Sequence, residues 1–334
     1  MSGPQRQVGK ADPEATPATT VPSVRGGSHD RAGRAFRWAA TGSGVLILAV
    51  LAAVAGFLLL EAWPALSADR EDLAAISWIP DDGSLLGYVG PLVFGTVVAA
   101  LLALLLAVPV AIGIALFISH YAPRRLADVL GYLVDLLAAI PSVVYGLWGG
   151  LWLAPRLQGV WSWLADNLGF IPFFQGPAAT PPRVMMTVGV VLAVMILPIV
   201  TAVSREVFLQ TPRLHEEAAL ALGATRWEMV RMAVLPFGRS GVISASMLGL
   251  GRALGETMAV LMILSPGLTY DLALLMAGRH QTIAANIALQ FPEANPLGVS
   301  ALVATGLALF VITLLVNMAA RWVVSRRAAF SGAN

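Results

Sequence analysis

Two charged side chains, Arg252 and Glu256, lie inside an otherwise uncharged apolar run from residue 241 to residue 264. An arginine near the centre of a bilayer costs on the order of 2.5 to 3.5 kcal/mol on insertion scales, so it requires a compensating role. On a continuous helix, residues four positions apart share a face, about 5 to 6 Å apart at Cβ. The two charges therefore either neutralise each other as an ion pair or, since a guanidinium matches a tetrahedral oxyanion, form part of a path for an anion.

Weaker candidates lie in a second apolar run, from residue 127 to residue 153. It contains Asp135 and Ser142. A carboxylate inside a membrane usually faces a cavity or a partner, although an interhelical hydrogen bond explains it equally well. Near the first pair of charges, a stripe of small residues at four-residue spacing indicates close helix packing. Its members are Gly251, Gly255 and Ala259.

A polar segment from residue 204 to residue 240 separates two apolar runs and predicts two short helices. In the first, Thr211 to Leu222, the threonine can act as the N-cap, and Gly223 can take the left-handed conformation that ends the helix. The second extends from Thr225 to Val234, and we expect Pro236 to stop it. The segment is amphipathic, so it either packs back on its own spans or docks another protein. The residues that make it so are Met229, Met232 and Ala233, beside Arg226, Glu228 and Arg231.

The elements that position these residues are predicted to be transmembrane helices. Of the 334 residues 57% are hydrophobic and 12% are charged, about half the charged fraction of a soluble domain. A helix needs about 20 apolar residues to span a bilayer, and six runs predict an all-α membrane protein. These spans are residues 39–60, 83–119, 127–153, 184–203, 241–264 and 297–320.

The remaining stretches are predicted to be tails and loops. Residues 1–38 contain too little apolar surface to order themselves and predict a disordered tail, and residues 321–334 form a second tail. We interpret the first span as an uncleaved anchor, because it is longer than the apolar region of a signal peptide. Residues 155–183 predict a loop along the interface, and residues 265–296 a loop with a weak helix.

The positions of the basic residues predict the orientation of the chain. The tails, the turn at Arg124 and the polar segment 204–240 carry sixteen of the 21 basic residues. Since cytoplasmic loops carry the excess of Lys and Arg, both termini are predicted to be cytoplasmic, in a bacterial plasma membrane. The net charge is only +2, and the arginines cluster beside apolar runs, so we expect no nucleic-acid partner.

Several kinds of chemistry are excluded or disfavoured. The chain has no cysteine, so thiol nucleophiles and cysteine-ligated metals are absent. A metal site is not expected, because His120, His215 and His280 lack ligand spacing. The only lysine, Lys10, does not stand in the Gly-Lys-Ser/Thr sequence of a P-loop, so this chain is not expected to hydrolyse ATP. No nucleophile and base occur in a plausible arrangement for an intramembrane hydrolase.

Three motifs resemble those of a known transporter family. The series Glu217-Ala218-Ala219, Gly223 and Leu235-Pro236 resembles the EAA loop of ABC importer permeases, although Ala233 stands where that family usually has a larger aliphatic residue. The runs Ile140 to Gly146 and Gly251 to Val260 resemble those of PstC, the permease of phosphate-specific ABC importers. The similarity covers roughly residues 39–320. The continuation after Glu256 favours PstC over its sister permease PstA.

The resemblance implies a type I ABC importer permease that pairs with a PstA-like second permease. It implies further partners: a PstB-like ATPase dimer on the cytoplasmic face, a PstS-like binding protein that delivers inorganic phosphate, and membrane lipid. This chain needs no cofactor, since ATP and Mg²⁺ belong to the ATPase subunits. The implied substrate-path residues are Arg252, Glu256, Thr257, Asp135 and Ser142. The implied ATPase-coupling residues are Glu216, Glu217, Ala218, Ala219, Gly223, Ala224, Leu235 and Pro236.

Two other functions remain open. The first is an ABC permease for another oxyanion, such as sulfate or molybdate. The second is a secondary transporter driven by an ion gradient, in which Arg252 and Glu256 relay protons. No internal repeat indicates the inverted halves of many secondary transporters, although such symmetry can be invisible in one sequence.

Overall fold

A computed structural model describes the chain from His29 to Ala328, with side chains from Gly33 to Trp322, and this part contains helices and no strands. The α-helices are α1 (His29–Ser67), α2 (Arg70–Ala74), α3 (Leu85–Leu116), α4 (Arg124–Ala138), α5 (Ser142–Leu147), α6 (Ala154–Leu168), α7 (Met185–Leu209), α8 (Arg213–Ala221), α9 (Arg226–Met229), α10 (Leu235–Leu254), α11 (Met258–Ile263), α12 (Ile283–Gln290) and α13 (Pro296–Ala328). Three π turns (Phe117–Tyr121, Trp148–Leu153 and Val230–Val234) and two 3₁₀ turns (Pro172–Phe174 and Phe291–Glu293) complete the described elements.

The expected all-helical membrane architecture is confirmed. In the part of the chain that the structure describes, five helical stretches are long and apolar enough to cross a membrane. They are α1, α3, α7, α13 and the stretch formed by α9, the π turn Val230–Val234 and α10. A sixth crossing exists if α4 and the helical stretch from Ser142 to Leu168 count as one bent span. The six predicted spans therefore correspond to five helices and one bent pair.

The outer boundaries of the first and last spans differ from the prediction. α1 begins at His29, so residues 29–38 are helical rather than part of a tail, and α13 continues past residue 320 to Ala328. A helix has no reason to stop at the end of its apolar run, because arginine and alanine are good helix formers in water as well. Residues 1–28 and 329–334 of the predicted tails lie outside the described residues.

The chain divides into a unit up to Ala53 and a unit from Val54 onward. In the second unit, α3, α7 and α10 form the main core through small residues. Alanines at every fourth position of α3 share one buried face; they are Ala99, Ala103, Ala107, Ala111 and Ala115. A Cβ on Gly189 of α7 would collide with Leu102, and one on Gly249 of α10 would come within 2.9 Å of Val200. Close approach of this kind gives membrane helices their van der Waals attraction.

The prediction that the third span is a single helix is wrong. α4 ends at Ala138, and the helical stretch that starts at Ser142 is turned by 90°. Pro141 cannot donate a backbone hydrogen bond, and its ring disfavours helical geometry at Ile140.

The prediction of a loop over residues 155–183 is also wrong for its first half, because α6 continues to Leu168. One face of α6 is apolar and packs on the core, and Trp161 on that face donates a 3.0 Å hydrogen bond to Thr187 Oγ1 of α7. Tertiary packing of this face therefore sustains a helix that its Pro, Gly and Trp content did not suggest.

The predicted loop of residues 265–296 with a weak helix is confirmed, and the helix is α12. The segment before it folds back on itself, since the Gly267 N–H donates to His280 O at 3.1 Å and the Thr269 N–H to Arg279 O at 3.0 Å. The Ile283 N–H at the start of α12 donates to Thr96 Oγ1 of α3 at 3.0 Å. The bond from Ile283 attaches the segment to α3.

Candidate functional site

Two helix breaks, far apart in sequence, face each other in the second unit. The first separates α4 from α5 at Ala139–Pro141, and the second separates α10 from α11 at Gly255–Thr257. α5 packs along α11 through glycine: a Cβ on Gly146 would come within 2.9 Å of Ala259 Cα and 3.0 Å of Met262 Sδ. The runs around Pro141 and around Arg252 therefore meet in space.

At the first break, Tyr145 replaces a hydrogen bond that the backbone cannot make. In an uninterrupted helix, the Leu137 carbonyl would accept from the N–H of residue 141, but Pro141 has none. The Tyr145 hydroxyl donates to this carbonyl oxygen at 2.9 Å. The Ile140 N–H also reaches it, at 3.3 Å. The bend is thus closed by a side chain from the helix that follows it.

At the second break, Glu256 acts on the backbone. α10 ends at Leu254, and the Glu256 carboxylate accepts a 3.1 Å hydrogen bond from the Ala259 N–H in the first turn of α11. Glu256 is only 7% exposed. Because the first N–H groups of a helix have no partner within it, the carboxylate satisfies a donor that would otherwise be orphaned.

Arg252 is not placed as the helical pattern predicted. The expectation that Arg252 and Glu256 share one helix face is wrong, because the helix ends between them at Leu254. Arg252 lies half-buried in the last turn of α10, where the partial negative charge of the helix end favours a cation. It makes no ion pair with any residue that the structure describes.

Asp135 belongs to a different contact. Its carboxylate lies 3.9 Å from Arg205 Nη2 of α7, and the same guanidinium lies 3.1 Å from Glu206. Gly131 of α4 makes room for the arginine, since a Cβ there would collide with Arg205 Nη1. Asp135 therefore joins α4 to α7, one turn before the bend. Among the described residues, no group of three His, Asp or Glu side chains could hold a metal ion.

The polar segment forms the two predicted helices, with different boundaries. The cap of α8 is Pro212, not Thr211, whose buried hydroxyl has no hydrogen-bond partner among the described atoms. Gly223 has φ +86° and ends α8 as expected. α9 starts with a capping box, in which Glu228 accepts from the Thr225 N–H at 2.8 Å and donates its own N–H to Thr225 Oγ1 at 3.3 Å.

Pro236 does not stop the second helix, contrary to prediction. The π turn Val230–Val234 follows α9 directly, and Pro236 lies in the first turn of α10. Proline is tolerated where a helix begins, and the wider π turn brings the Leu235 N–H to the Val230 carbonyl, five residues earlier. α9, the turn and α10 thus form one continuous element that ends at the second break.

The comparisons with known proteins agree with this architecture. Residues 107–329 match the family described as "Binding-protein-dependent transport system inner membrane component". The chain belongs to this family. It is 48% identical over 296 residues to the phosphate transport system permease protein PstC 2 of Mycobacterium tuberculosis, covering 87% of this chain and 91% of that protein. It is 40% identical over 294 residues to PstC of Mesorhizobium japonicum, covering 86% and 89%.

A solved structure has the same fold at low sequence identity. It is a chain of a bacterial ABC transporter involved in the import of the acidic polysaccharide alginate, with TM-score 0.52 and 18% identity, covering 86% of this chain and 96% of that one. As a member of the binding-protein-dependent transport family, the present chain is a multi-pass membrane permease subunit of the ABC transporter class.

The structure brings four of the five predicted path residues to the facing breaks of this permease. Arg252, Glu256 and Thr257 lie at the second break, Ser142 is the first residue of α5, and Asp135 lies apart. Sequence reasoning missed three polar residues with defined contacts: Tyr145, Arg205 and His120. Tyr145 had a signal, since it stands four residues after a proline inside an apolar run. Only tertiary structure gives the partners of the other two.

Replacing Tyr145 by phenylalanine tests the closure of the first bend. Tyr145→Phe keeps the buried ring and removes the donor to Leu137 O, so we expect a loss of about 1 kcal/mol of unfolding free energy. Denaturant unfolding of the purified chain in detergent measures it. Tyr132→Phe is the matched control, because Tyr132 on α4 is 72% exposed; equal losses in both variants would contradict the assignment.

Gly223 provides a second test, on the polar segment. Gly223→Ala places a side chain at positive φ and should cost about 1 to 2 kcal/mol, seen as faster hydrogen exchange in α8 and α9. Gly113→Ala is the control, because Gly113 lies in a regular helix and, like Gly223, has no atom within 4 Å of an added Cβ. Unchanged exchange in Gly223→Ala would show that the turn does not depend on glycine.

Proposed function

We propose that this chain is a membrane-spanning subunit of an ATP-driven importer of inorganic phosphate. The family membership and the printed names of the relatives support the substrate and the transport class. The observation that supports the proposal most directly concerns Arg252. This cation lies in the last turn of a broken membrane helix and forms no ion pair with any described residue. An unpaired guanidinium at this depth is stable only if something anionic or polar reaches it.

Phosphate suits this position for chemical reasons. The guanidinium presents several N–H donors in a planar fork that matches the oxygens of a tetrahedral oxyanion. One oxygen of Glu256 accepts from the backbone of α11, which holds the carboxylate beside the path, and Glu256 makes no ion pair with Arg252. A nearby carboxylate limits how tightly an anion stays, which favours passage over storage. Thr257 and Ser142 supply hydroxyls at the same breaks.

The path is completed by a second, PstA-like permease. The face of α10 that carries Ser244, Leu248 and Gly251 is exposed in the single chain, and no atom lies within 4 Å of a Cβ added to Gly251. Gly255 continues this face. A second permease placed here would approach the α10 backbone closely beside Arg252, as small residues permit.

The polar segment from residue 204 to residue 240 couples ATP hydrolysis to transport in this proposal. In our proposal α8 seats in a groove of a PstB-like ATPase subunit, which binds ATP and Mg²⁺, while a PstS-like binding protein delivers phosphate on the other side. The sole lysine of this chain does not form a P-loop. Motion of α8 would pass through the π turn into α10 and so to the break beside Arg252. Alternating access follows if closing of the ATPases changes the bend at Gly255.

Two other functions make different predictions. If the substrate is sulfate or molybdate, an excess of that anion will abolish uptake of labelled phosphate. If an ion gradient drives uptake, phosphate will continue to enter when ATP is depleted at constant proton-motive force. Our proposal requires that uptake stops on ATP depletion and resists both competing anions.

Neutralising Arg252 tests the path. In the assembled complex we expect Arg252→Gln to lower phosphate uptake roughly 10- to 100-fold. This corresponds to the loss of one hydrogen-bonded contact to a charged group, which is worth about 1.5 to 3 kcal/mol. The ATPase subunit should remain bound. Arg156→Gln is the control, because Arg156 stacks on Trp152 at 3.8 Å, outside both breaks. Normal uptake by well-expressed Arg252→Gln would remove this residue from the path.

The cytoplasmic position of both termini is also part of the proposal, from the excess of arginine in the polar segment and tails. The chain has no cysteine, so single cysteines report topology directly. We expect Leu222→Cys, in the turn after α8, to react with an impermeant maleimide only from the cytoplasm. Phe170→Cys, after α6, should react only from outside; both side chains are exposed. The reverse labelling would invert the topology.

A further inference from the structure

The two adjacent glutamates of α8 face opposite directions. Glu216 and Ala219 are the half-buried residues of this helix, whereas Glu217 and Ala218 are exposed. Ala219 packs on the buried cluster that includes Phe208 and Val230. Glu216, three residues earlier on the same face, reaches the π turn at the end of α3. The helix therefore has one face available to a partner and one face attached to its own spans.

The contact of Glu216 is with His120, and it joins residues 96 positions apart. His120 Nε2 lies 3.4 Å from Glu216 Oε1, and His120 Nδ1 lies 2.7 Å from Ser119 Oγ. The His120 side chain is only 8% exposed, and that of Glu216 is 23% exposed. Ser119 Oγ also lies 3.3 Å from Leu116 O, which it can reach as a donor. The imidazole is thus held from both sides, with Nε2 directed at α8.

α8 buries no side chain completely, and the half-buried Glu216 and Ala219 attach it to the rest of the chain. Ala219 contacts the element that leads through the π turn Val230–Val234 into α10. Glu216 contacts the π turn Phe117–Tyr121, which continues α3. A displacement of α8 must therefore act on both α10 and α3, or break the His120 contact.

We propose that His120 is a positioning residue that couples α8 to α3 through Glu216, so that nucleotide-driven movement of α8 shifts α3 together with α10. This inference rests on the proposed function, because it assumes that an ATPase moves α8. It assigns separate roles to the two glutamates: Glu217 faces the ATPase, and Glu216 transmits its motion inward. His120 does not contact phosphate or nucleotide.

The test measures phosphate transported per ATP hydrolysed in the complex, reconstituted with its partner permease, ATPase and binding protein in liposomes. Glu216→Gln and His120→Leu should lower this ratio several-fold while ATPase subunits still co-purify. His120→Gln keeps an N–H donor toward Glu216 and should restore most of the ratio lost in His120→Leu. The double variant Glu216→Gln with His120→Leu should be no worse than either single variant, because both remove one contact.

Glu293→Gln is the matched control, because Glu293 is exposed in the 3₁₀ turn Phe291–Glu293, outside the polar segment, and it should leave the transport ratio unchanged. An unchanged ratio in both Glu216→Gln and His120→Leu, or additive losses in the double variant, would overturn the inference. Glu216→Gln changes no volume, so it remains informative if the buried His120→Leu variant fails to fold. Absence of ATP-dependent phosphate uptake by the unmodified complex would instead refute the proposed function.

Discussion

The site depends on one constraint: inside a membrane, every backbone N–H and C=O must find a partner within the protein. Two of the helices that would cross the bilayer are broken, and each break leaves backbone groups without their helical partners. Tyr145 supplies the donor that Pro141 lacks, and Glu256 accepts from a free N–H of α11. The shape of the site follows from these two hydrogen bonds between side chain and backbone.

The same constraint changes the interpretation of the buried charges. The Glu256 carboxylate accepts from the backbone of α11 and makes no ion pair with Arg252. The Arg252 guanidinium lies in the last turn of α10 with no ion-pair partner among the described residues. Glycine at position 146 then allows α5 to lie directly on α11, so that the two breaks stay together. The close packing of α5 on α11 and the hydrogen bonds to the broken backbone together define the geometry of the two breaks.

The polar segment shows how two neighbouring residues of the same type acquire different surroundings. Helical geometry separates adjacent side chains by about 100°, so Glu216 and Glu217 cannot both face the membrane helices. A positive φ at Gly223 and the capping box at Thr225 fix the turn between α8 and α9 locally. The π turn then joins α9 to α10 without a stop, which makes a continuous element from Arg226 to the break at Gly255.

The sequence alone determined the helical membrane class, the approximate positions of the spans and the turn at Gly223, and it marked the runs around Pro141 and Arg252 as candidates for the site. These features depend on apolar run length, glycine and proline stereochemistry and the cost of buried charge, all of which act locally. Only the tertiary structure decided that the third and fifth spans are broken, that α6 is helical, that Asp135 pairs with Arg205, and that His120 meets Glu216. Those outcomes depend on groups brought together from distant parts of the chain, and a repeating apolar pattern does not reveal which carbonyl, hydroxyl or guanidinium will be its neighbour.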